Sequence, residues 1–204
     1  MRHEQVLEGL HEDDELARVI EHLPDDLVPL VRFAAITGWR KGECVALRWE
    51  WVNLKTQTIT LPGSASKNGK ARTIGLSGDL LPLIQAQERG RLVTRRDGTP
   101  IVASHVFHRQ GHCIGDFKNA WRSALRAAGF SHVEKDPDTG EERVVFDKLF
   151  HDLRRTAVRN MINRGVPAIT AMSISGHRTR SMFDRYGIQT TEDQKRAFEA
   201  LAAR

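Results

Sequence analysis

The chain has 204 residues, two cysteines and a formal net charge of +5; that length buries a sizeable core without covalent staples, as one compact domain. Cys44 and Cys113 are not in C-x-x-C spacing, residues 1–15 have no apolar h-region and no apolar run approaches a membrane span, so a disulfide scaffold, a secretory leader and a membrane protein are all disfavoured. The charge is uneven: two arginines against nine acids leave −7 in residues 1–30, and the remainder carries +12, a pattern that fits a polyanionic partner and equally a solvated basic surface.

In chain order, Asp13–His22 is predicted to form a short acidic helix with Leu16, Val19 and Ile20 inward. Asp25 or Asp26 is a candidate N-cap for a second helix, with Pro29 tolerated in its first turn and Gly38 as its C-terminal stop. "RKGECVAL" begins a third helix at Arg40. A period-2 region follows: "TITL" and "RTIGL" are strand-like and flank "SKNGK", where Asn68-Gly69 predicts a tight hairpin turn. Helices are expected over Asp79–Arg89 and Gly115–Ala128, and "KDPDTGEERVV" is a polar loop or a second small hairpin. Phe150, Leu153, Ala157 and Met161 form the apolar stripe of another helix; Pro167 opens the next and Gly176 closes it. Helices over Thr179–Tyr186 and Glu192–Ala203 complete the chain. The fold class expected is α+β, mostly α: a helical domain with a small antiparallel sheet near one edge.

Several stretches carry groups suited to phosphate chemistry. In "FHDLRRT", His151 and Arg154 lie three apart at a helix start, where free N–H groups and a partial positive charge favour anions. In "TGWRKGE", Arg40 follows a helix-ending glycine, and a guanidinium fork binds two phosphate oxygens at once; Glu43 is placed to pair with it. Lys67 sits at the hairpin tip. His177 follows Gly176, and Tyr186, the only tyrosine, comes nine positions later. A phenol with a free pKa of about 10 needs a proton acceptor and nearby positive charge to become a nucleophile. Each stretch alone also describes an ordinary solvated basic surface. "HRQGHC" supplies His108, His112 and Cys113 as ligand types, but no fourth ligand is apparent. No metal or other cofactor is expected.

The order of these motifs resembles the tyrosine recombinase (phage integrase) family. The resemblance runs from about Asp13 to the end and extends to "ALRWEWVNL" and "DFKNAWRSALRAAGF"; within the family, the integrases of prophages and mobile islands are the most similar. It implies that Arg40, Lys67, His151, Arg154, His177 and Tyr186 are the active-site residues, with Glu43 supporting them. Lys70 is the alternative to Lys67. The chain departs from the family pattern at Gly75, where proline is frequent, and at Ser175, where Leu or Thr is usual. The implied reaction is attack of Tyr186 on a DNA phosphodiester, giving a 3′-phosphotyrosyl bond and a free 5′-hydroxyl. Arg40 and Arg154 would stabilise the transition state, His177 would add a hydrogen bond, His151 would accept the tyrosine proton and Lys67 would protonate the leaving oxygen. Strand exchange would then need neither metal nor ATP. Lys70, Arg72, Arg155, Arg159 and Arg178 are candidate DNA-backbone contacts. Residues 1–12 are taken as a leader and 13–204 as the catalytic domain, with the family's N-terminal core-binding domain absent. The implied partner is double-stranded DNA, bound by a tetramer of the full-length protein on paired sites, the fragment itself being a monomer in solution. The implied location is the bacterial cytoplasm, DNA-associated. A type IB topoisomerase and a non-catalytic DNA-binding remnant of an integrase are the rival readings.

Overall fold

The computed structural model describes residues 13–67, 69–94 and 97–179, and singly residues 195, 198, 199 and 202. Helix α1 (Asp13–Glu21) packs on α5 (Lys118–Ala127). The Arg18 guanidinium lies 4.8 Å from the Phe130 ring, and Glu15 accepts a 2.5 Å hydrogen bond from Lys148. Helix α2 (Val28–Thr37) has Pro29 in its first turn, where a missing N–H costs nothing. Its N-cap is Leu27, without a side-chain cap. Asp26, a predicted cap, instead accepts a 2.6 Å hydrogen bond from Arg109. Gly38 closes α2 in the left-handed region at φ +67°. Helix α3 is a single turn, Lys41–Val45, with Arg40 as its N-cap.

A three-stranded antiparallel sheet follows: β1 (Val52–Asn53), β2 (Thr58–Leu61) and β3 (Arg72–Gly75), in that order. The predicted tight two-residue hairpin is not formed. Leu61 pairs with Arg72, so residues 62–71 connect the strands and include a 3-10 turn at Gly63–Ala65. Within that connection the Gly69 N–H donates to the Ser66 carbonyl at 2.9 Å. Helix α4 is Leu80–Arg89. Two ribbons precede α5: β4 (Leu92–Thr94) with β5 (Pro100–Val102), and β6 (His108–Arg109) with β7 (His112–Cys113). Of the two options for the polar stretch after α5, the hairpin is the one formed: β8 (Ser131–Lys135) pairs with β9 (Glu142–Phe146).

Helix α6 (Asp152–Asn163) packs on α2, and α7 (Ala168–Ser175) packs on α6 and on β3. The main core joins α2, the three-stranded sheet, α4 and α5, with Phe33 edge-on to Trp39 at 5.3 Å. Leu153 and Ala157 of the predicted α6 stripe are buried, while Met161 joins a smaller cluster with Val158 and Ala171. These packings bring the ends of α2 and α7 and the start of α6 to one place. The mostly helical architecture with small antiparallel sheets agrees with the expected fold class. The leader, residue 68 and most of the two helices expected over Thr179–Tyr186 and Glu192–Ala203, Tyr186 included, lie outside the described residues.

Candidate active site

The site is built on two helix ends and one helix start. Gly38 turns the chain out of α2, and a Cβ there would meet the Cβ atoms of Ala157 at 3.2 Å and Ser175 at 3.4 Å. Positive φ and close approach therefore both require glycine. The turn leaves the Gly38 carbonyl facing Arg154, whose Nη1 donates to it at 2.6 Å and also donates to the Ser175 carbonyl. Arg154 is 3% exposed. A guanidinium so deep is stabilised by acceptors of fixed position, and here the backbone ends of α2 and α7 supply them. The Trp39 indole N–H donates to the Ile174 carbonyl at 3.0 Å, a second tie between the same two ends.

Arg40 is held by Glu43. The carboxylate accepts the Arg40 backbone N–H at 3.0 Å and Nη1 at 3.1 Å, which fastens the first turn of α3 at its start. Glu43 is buried and has a second arginine: Arg72 Nη2 donates to it at 2.7 Å. The Arg72 guanidinium also lies over the Trp39 ring at 4.3 Å and above Gly176, where an added Cβ would run into Nη1. Burial pushes the Glu43 carboxyl up; the Arg72 hydrogen bond, the Arg40 N–H and both positive charges outweigh it and hold the group below the usual carboxylate range. Arg72 was a candidate DNA-backbone contact on sequence. Its side chain is only 10% exposed and is engaged under the site.

His151 occupies the N-cap position of α6 without a side-chain capping hydrogen bond and is exposed, one turn before the buried Arg154. Partial loss of hydration lowers its pKa, and Arg154 and Arg40 lower it further. His177 follows Gly176, which ends α7 at φ +73°. It is 8% exposed, and its Nδ1 lies 2.8 Å from Ser175 Oγ. Burial, then the charges of Arg154, Arg40, His151 and Arg72, push its pKa down to about 3. Both rings are therefore neutral at pH 7. The structure thus brings Arg40, Glu43, His151, Arg154 and His177 together, with Arg72 and Trp39 added.

The remaining candidates sit around this centre. Lys67 is exposed at its turn in the β2–β3 connection. That connection and the end of α7 enclose a groove of about 600 Å³, lined among others by Ser66, Lys70, Arg72, Gly176, His177 and Arg178. Lys70 and Arg178 are exposed. Arg155 donates to Asp152 at 3.1 Å, and Asp152 also accepts the Leu149 N–H at 2.7 Å. Arg159 is half-buried on α6. In "HRQGHC", His108 pairs with Cys113 across the β6–β7 ribbon. Among the described residues no three His, Cys, Asp or Glu side chains gather as a metal site. Cys44 is buried and Cys113 exposed, both as free thiols; burial pushes the Cys44 thiol up. No helix among the described residues is long and apolar enough to cross a membrane.

The model of the phage integrase family matches residues 1–192, and the chain belongs to that family. It is 25% identical over 186 residues to the integrase of Salmonella phage P22, covering 86% of this chain and 42% of that one. It is 29% identical over 177 residues to the shufflon-specific DNA recombinase of Escherichia coli, covering 86% of this chain and 38% of that one. The chain thus spans about two-fifths of the length of these relatives. In fold it is similar to the Tn1549 transposon integrase, solved in complex with transposon right-end DNA, with TM-score 0.67 and 17% identity over 99% of this chain and 69% of that one.

Proposed function

We propose that this chain is the catalytic domain of a site-specific DNA recombinase that cuts and rejoins strands through Tyr186. The observation that carries the reading is the convergence of Arg154, Arg40, His151 and His177 around the ends of α2 and α7 and the start of α6. Such a centre is built for an anion whose charge grows during reaction. In-line attack by the Tyr186 oxygen on a phosphodiester gathers charge on the non-bridging oxygens, and Arg40 and Arg154 offset it. His151, neutral and exposed, accepts the phenol proton. Lys67, exposed in the β2–β3 connection that borders the groove, gives a proton to the departing 5′-oxygen. The new bond is an ester of the same phosphate, so a second 5′-hydroxyl can replace Tyr186 with no added energy source. Exposed Lys70 and Arg178 serve as backbone contacts, with Arg159 and Arg155 nearer the helix. Similarity to a DNA recombinase and to an integrase solved with DNA supports DNA as the substrate. Assembly as a tetramer on paired sites, in the bacterial cytoplasm, belongs to the same reading.

The test is incubation with a pool of nicked duplexes of random sequence, in the presence of chelator, followed by a denaturing gel. A covalent protein–DNA adduct is expected from the native chain and none from Tyr186→Phe. Because the chain has one tyrosine, a phosphotyrosyl adduct has one place to form. Cleavage that persists in Tyr186→Phe, or that stops on chelation, would overturn the proposal.

A further inference from the structure

Glu43 is buried, and two arginines share its carboxylate. Oε1 accepts from Arg40 Nη1 at 3.1 Å and from Arg72 Nη1 at 3.4 Å. Oε2 accepts from the Arg40 backbone N–H at 3.0 Å and from Arg72 Nη2 at 2.7 Å. A carboxylate has about four acceptor positions, so this one is full. The arginines divide it unequally. Arg72 uses both terminal nitrogens, the two-pronged arrangement that suits a guanidinium and a carboxylate best. Arg40 uses one, and among the described residues its Nε and Nη2 have no hydrogen-bond partner. Burial works against the Glu43 charge, and of the groups that restore it Arg72 contributes most. Arg72 is fixed in that role: its guanidinium lies over the Trp39 ring at 4.3 Å and against Gly176.

We propose that Arg72 is a positioning residue: by filling Glu43 with both terminal nitrogens, it keeps Glu43 from closing a two-pronged pair on Arg40 and leaves the other Arg40 donors open to a phosphate. This rests on the phosphoryl-transfer reading above. Two opposed demands meet at Arg40. An acidic neighbour fixes its direction, and the same neighbour competes with the substrate for its N–H groups. A buried carboxylate facing a single arginine wins that competition, because nothing else neutralises it. The second arginine removes the conflict. Arg40 stays anchored through Nη1 and its backbone N–H, and two guanidinium charges against one carboxylate leave the trio at +1.

The test is single-turnover adduct formation on the nicked pool by a four-protein cycle of Arg72→Met and Glu43→Gln. Methionine keeps a stem over Trp39 and has no charge; Arg72→Gln gives the same cycle if Arg72→Met does not fold. Arg72→Met should slow cleavage by roughly 10²-fold with little change in duplex affinity. Glu43→Gln should slow the native chain, because the anchor of Arg40 is weakened. In Arg72→Met the same change should speed cleavage by roughly tenfold, because the competitor for Arg40 is gone. A merely structural role for Arg72 predicts losses that add, and an effect of net charge alone predicts that Glu43→Gln speeds both backgrounds. Any pair of signs other than slower in the native chain and faster in Arg72→Met overturns the proposal. A crystal structure of the Arg72 variant without DNA supplies an arm independent of chemistry. Arg40 should be found with both terminal nitrogens on Glu43; Arg40 still held through Nη1 alone overturns the proposal. Absence of any adduct from the native chain would sink the phosphoryl-transfer reading, and the crystal structure would still decide what Arg72 does to Arg40.

Discussion

At the scale of single residues, the centre is organised by side chains that are not themselves exposed to a substrate. Arg72 shares the Glu43 carboxylate with Arg40, so the orientation of Arg40 depends on a strand residue 29 positions away in sequence, counted from Glu43. "TGWRKGE" made the Arg40–Glu43 pair legible, because a spacing of three at a helix start puts the carboxylate back on the N-cap. The second arginine was legible as a charge but not as a partner. Nothing in a sequence says that β3 passes above the end of α7. His177 shows a similar limit: its type and position are readable, but its neutrality comes from burial among arginines from three separate segments. That neutrality has a measurable sign. The folded ring titrates near 3 and the unfolded one near its usual value. As pH falls below about 6.5, the unfolded chain binds a proton that the native chain refuses, so stability is lost on acidification. Between pH 7 and pH 5 the loss from this one group is about 2 kcal/mol. Urea unfolding at the two pH values should show a smaller loss by about that amount in His177→Gln. Equal losses in the two proteins would contradict the placement of the ring.

At the scale of elements, helix ends do the positioning. Gly38 and Gly176 were both predicted as stops, and both adopt positive φ. The sequence signal for a stop is local, a glycine after the last periodic residue. The reason the stops matter here is not local. Gly38 lets α6 and α7 approach, and Gly176 lets Arg72 cross. Gly176→Ala should therefore cost on the order of 3 kcal/mol, from a left-handed φ plus displacement of the Arg72 guanidinium. In an Arg72→Ala background the obstruction is gone, and the same change should cost only about 1 kcal/mol. Denaturant midpoints for the four proteins of this cycle measure the difference; additivity would show that the two positions do not touch. The β2–β3 connection was the element least readable from sequence. The strands on either side of Asn-Gly pair across a ten-residue connection, residues 62–71, that contains a 3-10 turn at Gly63–Ala65. The two small ribbons β4–β5 and β6–β7 were not predicted. Their strands are two or three residues long, too short for a period-2 pattern to emerge.

At the scale of the whole molecule, charge and fold point the same way. The chain is acidic at its start and basic over the rest, and the exposed cations Lys70 and Arg178 border the groove beside His177. Binding to a fluorescent duplex should weaken as salt rises. Lys70→Ala and Arg178→Ala should each reduce the log–log salt slope by about one. Arg72→Ala should leave the slope unchanged, because that charge is engaged by Glu43. The family was legible from motif order alone, since five ordered motifs across most of a chain are far more specific than any one of them. What distinguishes a recombinase from a nuclease is the fate of the phosphate, and that is the most direct test of the account. Isolated adduct should be mixed with a strand bearing a free 5′-hydroxyl, in chelator and without nucleotide. The account predicts that joined DNA appears as the adduct disappears, with free protein released. Loss of adduct to water, leaving an unjoined 3′ end, would contradict it.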